Sequence, residues 1–143
     1  MNTVGGRGPA VVDTDVFSAD LIPDSLLAAR FRQLTLGRPT FISFQTAAEI
    51  RFGAQLRGWG ASRLRRMESR LSAAEVVDSG PELIEAYVQL RVTCHRAGHP
   101  LAQKIHDADR WVAATAMRLD LPLIANDGIF DDVPGIRIER PPR

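Results

Sequence analysis

Four carboxylates in this 143-residue chain fall where α/β proteins place chemistry, at the ends of strands and in the first turns of helices. Asp13 closes the apolar run Ala10-Val11-Val12. Glu49 comes early in a helix that follows a short strand. Asp109 lies in the first turn of a helix beginning near Asp107, and Asp127 follows Leu121-Pro122-Leu123-Ile124-Ala125. Acids brought together without Arg or Lys repel one another, so some must take up a proton or the set must bind a divalent cation. Mg2+ and Mn2+ accept carboxylate and water oxygens and leave positions for a phosphate, a combination suited to phosphodiester cleavage.

Each acid alone has a plain structural explanation: an exposed helical Glu, an Asp favoured by the helix dipole, or an Asp in a turn. Their contexts argue for more. Asp13 and Asp127 end strands that read as buried. Val112, Ala113 and Ala116 make the near side of the Asp109 helix small and apolar, so it can approach a sheet closely, and Ala47-Ala48 does the same ahead of Glu49.

The elements that must position these acids alternate between strand and helix. A first strand is expected over about 10–16, then helix from Ser18 to Leu36 with an interruption at Pro23, after which Asp24 is a possible cap. Thr40–Phe44 reads as a short strand by its β-branched and aromatic content. A second helix runs through Glu49, Ile50 and Phe52 to about Arg57. Ser62 is the expected cap of a third, with an apolar stripe of Leu64, Met67 and Leu71 and a basic stripe of Arg63, Arg66 and Arg70 that reads as a solvated face. Glu75–Asp78 is a third strand, and Pro81 starts a helix with Leu83, Tyr87, Leu90 and Cys94 on one face. After the Asp109 helix and the strand at Leu121–Ala125, Val133–Ile138 is a candidate edge strand. The class is α/β with a mainly parallel sheet.

Length and a 45% hydrophobic content fit one domain over residues 10–143 behind a flexible leader over 1–9. A net charge of +1 argues against a broadly basic nucleic-acid coat. The single Cys94 cannot form an internal disulfide and reads as a core filler, which suits a reducing compartment. With no signal-like or membrane-length apolar run, the expected location is cytoplasmic.

Four segments taken together carry a resemblance. Val11-Val12-Asp13-Thr14, Ala47-Ala48-Glu49-Ile50-Arg51-Phe52-Gly53-Ala54, Asp109-Arg110-Trp111-Val112-Ala113-Ala114-Thr115-Ala116 and Leu121–Asp127 resemble the four acidic motifs of PIN-domain ribonucleases, specifically the VapC toxins of bacterial toxin–antitoxin pairs. Phe130 and Val133-Pro134-Gly135-Ile136 match the usual ending of that family. The resemblance implies a PIN-like three-layer fold and a metal-dependent endoribonuclease that cuts structured RNA (transfer, ribosomal or messenger), with Mg2+ or Mn2+ as cofactor. It further implies a VapB-type antitoxin as partner and a homodimer. Asp13 and Asp109 are the foremost metal ligands under it, with Glu49 and Asp127 completing the catalytic pocket. Asn126 is a candidate to orient Asp127, and Phe52, Leu56 and Trp59 offer an apolar wall for the antitoxin, although ordinary core packing also fits them, Phe52 above all. Two departures stand out: Asp15 occupies a position that is usually Ser or Thr in the family, and Asp107 competes with Asp109 but is better placed as a cap.

Two rival readings use other features. Asp13-Thr14-Asp15, with Ser43, Lys104 and Asp127/Asp131, follows the order of haloacid-dehalogenase-type phosphatases, although Phe17 departs from that motif and Glu49 and Asp109 have no task in it. A non-catalytic module would keep the fold and use its Arg stripe for RNA or protein contact. His95, His99 and His106 lack metal-ligand spacing and have no evident acidic partner, so they read as loop and helix-end residues, with His106 near enough to Asp109 to touch the site.

Overall fold

The computed structural model of the protein describes residues 7–142. Residues 1–6 of the expected leader and Arg143 lie outside the described residues. Five strands, all parallel where they pair, form one sheet: β1 (Ala10–Val12), β2 (Thr40–Ser43), β3 (Glu75–Val77), β4 (Leu123–Ile124) and β5 (Ile138–Glu139), in the order β3-β2-β1-β4-β5. Among the described residues six α-helices flank it: α1 (Thr14–Ala19), α2 (Leu26–Thr35), α3 (Phe44–Leu56), α4 (Ala61–Ala73), α5 (Pro81–Ala97) and α6 (Asp107–Leu119). This is the PIN-like α/β architecture that the sequence implied.

The central strands are apolar on both faces because both faces are covered. Side-chain alternation sends Val11 and Leu123 into one core, with Leu83, Leu90, Cys94, Val112 and Phe130. Ala10, Val12 and Ile124 enter the other, with Phe31, Ile50, Met67 and Leu71. Burial raises the Cys94 thiol above its ordinary pKa, as befits a core filler.

Several boundaries differ from expectation for identifiable reasons. β1 stops at Val12 because Asp13 caps α1 at once, its Oδ1 accepting the Val16 N–H at 2.8 Å. α2 is capped by Ser25, whose hydroxyl oxygen accepts the Ala28 N–H, while Asp24 sits in the turn before it at φ 58°. α4 begins after Gly60 with no side-chain cap, so Ser62 lies inside the helix. Leu64 is partly exposed and the buried stripe is Met67 and Leu71. The edge strand forms at Ile138–Glu139, at the end of the expected stretch. The Arg stripe is not a purely solvated face. Arg66 donates twice to the Asp20 carbonyl and Arg70 pairs with the Asp20 carboxylate, fastening α4 to the end of α1, while Arg63 lies over the ring of Trp59 just ahead of α4, 4.6 Å from its centroid.

The approach to α6 matters most for the site. Two 3-10 turns, Pro100–Ala102 and Lys104–His106, carry the chain from α5 into α6. Buried Arg110 secures them, donating from Nη1 to the carbonyls of Leu101 (2.9 Å) and Gln103 (2.5 Å) and from Nε to the Tyr87 hydroxyl (3.2 Å). Its Nη2 pairs with Asp107 at 3.1 Å. Asp107 is therefore not the cap of α6. It occupies the first turn, where the Tyr87 hydroxyl and then Arg110 hold its carboxyl below the usual range. Arg110→Ala leaves these carbonyls unpaired and opens a cavity, and is expected to cost about 3 kcal/mol in urea unfolding. A loss below about 1 kcal/mol, the level of a surface change, would contradict this account.

Candidate active site

In this sheet the chain runs outward from β1 through β2 to β3, then returns to the other side of β1 as β4. Neighbouring strands whose connections leave in opposite directions open a crevice at their carboxyl ends. Asp13 follows β1 there, and Asn126-Asp127 follow β4.

Asp13 is 2% exposed, and both of its oxygens are held by backbone: Oδ1 by the Val16 N–H at 2.8 Å and Oδ2 by the Asn126 N–H at 3.1 Å. Burial pushes its carboxyl up to about 6. The Val16 and Asn126 donors oppose that rise and the charge of Asp15 adds to it. No Arg or Lys side chain pairs with Asp13 among the described residues.

Glu49 projects from α3, where Thr46, one turn earlier, is fully buried. The Thr14 hydroxyl lies 2.8 Å from that of Thr46 and donates to Glu49 Oε1 at 3.3 Å, linking α1 to α3. Partial burial raises the Glu49 carboxyl, Thr14 lowers it, and Asp109 and Asp15 raise it further. Asp109, in the first turn of α6, faces His106 Nδ1 at 3.1 Å from its Oδ2. Asp127 caps the 3-10 turn Gly128–Phe130, its Oδ1 accepting the Ile129 N–H at 2.9 Å.

Asp15, whose role was left open, joins these acids. Its carboxyl is raised by partial burial and then by the charges of Asp127 and Asp109. The charge of Asp15 thus bears on Asp13 and Glu49, and those of Asp109 and Asp127 bear on Asp15. Among the described residues, no three acidic, His or Cys side chains converge as a ready metal cage. The donor set is nonetheless hard oxygen throughout, and its raised carboxyls mark negative charge that a cation would neutralise, which fits Mg2+ or Mn2+ better than a soft metal. A cavity of about 410 Å3 between α1, α2 and α4, lined by Phe17, Phe31 and Arg38 among others, contains none of the four predicted acids.

Other expectations need correction. The Asn126 contact runs from its backbone N–H to Asp13, and Asp127 is held instead by Ile129. His106 does have an acidic partner, Asp109, while His99 is a turn residue that accepts the Leu101 N–H at Nδ1 and meets the Asp131 carbonyl at Nε2. Phe52 is not core: it and Leu56 are 66% and 70% exposed on α3, whereas Trp59 is half-buried. Sequence reasoning gave no task to Thr14, Thr46 or Arg140. Thr14 and Thr46 could have been flagged, each preceding a candidate acid by a helical step or adjoining one, but Arg140 is brought in only by the fold.

The PIN domain profile matches residues 10–136, nearly the whole chain. The chain belongs to the PIN-domain family. PIN domains are nucleases, so this is a fold of hydrolases acting on nucleic acid, and they generally use divalent metal ions. Among solved structures, the chain is similar to DNA-bound VapBC from Salmonella typhimurium (24% identity, TM-score 0.73, covering 93% of this chain and 98% of that one). It is also similar to FitAcB from Neisseria gonorrhoeae (23%, TM-score 0.71, 92% and 97%). A third is a member of the VapBC family of toxin–antitoxin systems from Mycobacterium tuberculosis (26%, TM-score 0.64, 94% and 99%). A comparison with curated proteins found no match. No helix among the described residues is long and apolar enough to cross a membrane.

The perturbed Asp13 gives a pH signature in metal-free protein. Its folded pKa of about 6 exceeds the ordinary 3.8, so the folded state holds the proton more tightly than the unfolded chain. Stability from this group is present below about pH 4 and is lost as pH rises through 6. Asp13→Asn cannot ionise, so in EDTA its stability relative to wild type should climb between pH 4 and 7, by at most about 3 kcal/mol, and then level off. Urea unfolding of both proteins across that range checks this, and a difference independent of pH would contradict it.

Proposed function

We propose that this PIN domain is a divalent-metal-dependent endoribonuclease, the toxin of a VapBC-like toxin–antitoxin pair acting in the cytoplasm. The observation that carries the reading is Asp13: a buried carboxylate in the crevice between β1 and β4, pushed up to about 6, with further acids in electrostatic reach. A single domain over residues 10–143 suffices for it. Asp13 and Asp109 would hold Mg2+ or Mn2+, and Glu49 and Asp127 would complete the pocket directly or through water. Mg2+ keeps several waters and takes one or two protein carboxylates, which suits acids that do not converge as a cage. When bound, the cation supplies positive charge against the negative charge developing on the phosphate oxygens.

The chain's own groups do the rest. Without a cation, the clustered acids repel a phosphodiester. Thr14 orients Glu49, and a carboxylate raised above its usual range is the better acceptor for a proton leaving the attacking water. Backbone donors to Asp13 and Asp127 hold those oxygens in place before substrate arrives, so little reorganisation is needed at the reacting phosphate.

Structured RNA (transfer, ribosomal or messenger) is the substrate class, since splayed loops give a nuclease access to its target phosphate. A VapB-type antitoxin is the partner. The exposed Phe52 and Leu56, on the helix that carries Glu49, offer its segment an apolar wall. A homodimer is supported by the exposed stripe Ile84, Val88 and Val92 on α5. The phosphatase alternative loses support because Ser43 is fully buried as the cap of α3 and Asp131 is tied to Arg140.

Purified protein incubated with total bacterial RNA and Mg2+ should yield discrete fragments that disappear with EDTA. Asp13→Asn and Asp109→Asn should each lower the cleavage rate at least about 100-fold while remaining folded. Intact RNA in every lane, with turnover of a phosphomonoester instead, would overturn the reading in favour of the phosphatase.

A further inference from the structure

Arg140 follows β5 and lies beyond the span that the PIN profile matches. Its side chain is only 16% exposed, and each of its nitrogens has a partner. Nε donates to the Ala125 carbonyl at 3.1 Å, Nη2 donates to the Asp127 carbonyl at 3.2 Å, and Nη1 pairs with Asp131 at 2.9 Å. Between those two carbonyls lies Asn126, whose N–H donates to Asp13 Oδ2. A guanidinium offers its donors in one rigid plane, so a fork across two carbonyls fixes the peptide unit between them. The base of the fork is anchored in turn. β5 pairs with β4 through Ile124 and Glu139, and Glu139 accepts from the buried Arg38 at 2.7 Å.

We propose that Arg140 is a positioning residue for the acid cluster: its fork across Ala125 and Asp127 aims the Asn126 N–H at Asp13 and sets where Asp127 stands. The segment after β5 thereby becomes part of the cation site rather than a mere closing edge of the sheet. The proposal rests on the metal-dependent nuclease reading above. Lys cannot replace Arg here, because a single ammonium on a flexible stem does not span both carbonyls in a fixed plane.

The test uses full-length Arg140→Gln, Arg140→Lys and Asp131→Asn, the last taking the charge from the third contact while leaving the fork. Two quantities are measured: amide hydrogen exchange at Asn126 by NMR, and Mn2+ affinity by calorimetry. In both Arg140 variants the Asn126 amide should exchange at least about tenfold faster, while the Leu123 and Ala125 amides, bonded to β5 and its approach, stay protected. Mn2+ affinity should weaken by about 10–100-fold, the usual scale for groups that orient metal ligands. Asp131→Asn should stay within about twofold of wild type in both. Wild-type exchange at Asn126 with wild-type Mn2+ affinity in either Arg140 variant would overturn the proposal. So would equal loss of protection along all of β4, which marks a sheet-edge role alone. Wild-type protein that binds no Mn2+ would fail the nuclease reading instead. The exchange data would then still decide the clamp, with an unchanged Asn126 amide overturning it.

Discussion

The carboxylate of Asp13 accepts one backbone N–H from α1 and another from the turn after β4. Those two donors lie on segments more than a hundred residues apart in sequence, on either side of the crevice between β1 and β4. A buried carboxylate is costly unless its lone pairs are met, and here both oxygens are met without any neutralising side chain. The interaction therefore does two things at once: it starts α1 as a cap and keeps a negative charge at the mouth of the crevice. The remaining acids are carried by elements that must pack closely. Ala113, Ala114 and Ala116 let α6 lie on the sheet so that its first turn presents Asp109, and buried Ser43 and Thr46 start α3 with Glu49 one turn further on.

This arrangement keeps the cations that stabilise the fold off the carboxylates left for chemistry. The cationic side chains near the site are engaged elsewhere: Arg110 on the carbonyls before α6, Arg140 on the carbonyls of the β4 turn and on Asp131. None is spent on the carboxylates of Asp13, Asp15, Glu49 or Asp127 among the described residues. Burial, with the repulsion of neighbouring acids added to it, raises the carboxyls of Asp13, Asp15 and Glu49, which is the electrostatic condition under which a divalent cation binds with most to gain.

Much of this was legible in the sequence because it depends on local pattern. Apolar strands ending in acids, small residues flanking Asp109 and the alternation of elements gave the α/β class, and the four motifs in order pointed to the PIN family. Boundaries were harder where one residue serves two roles. Asp13 reads as the end of a strand, yet its capping bond starts a helix one residue later. Asp24 and Ser25 are both competent caps, and the choice between them depends on a positive φ that sequence does not display. Phe52 reads as core by type but faces outward because α3 turns Ile50 and Ala54 to the sheet. Pairings across long sequence distances, such as Arg140 with the β4 turn or Arg66 and Arg70 with Asp20, follow from topology and left no local trace.

The central claim is that the acids after β1 and β4 and on α3 and α6 form one site for a divalent cation. Crystals of the protein equilibrated with Mn2+ at neutral pH, measured for anomalous scattering, address it most directly. The account predicts an anomalous peak bounded by Asp13 and Asp109, with Glu49 and Asp127 reaching it directly or through water. A peak confined to other side chains, or none in crystals that hold these acids in the arrangement described, would contradict it.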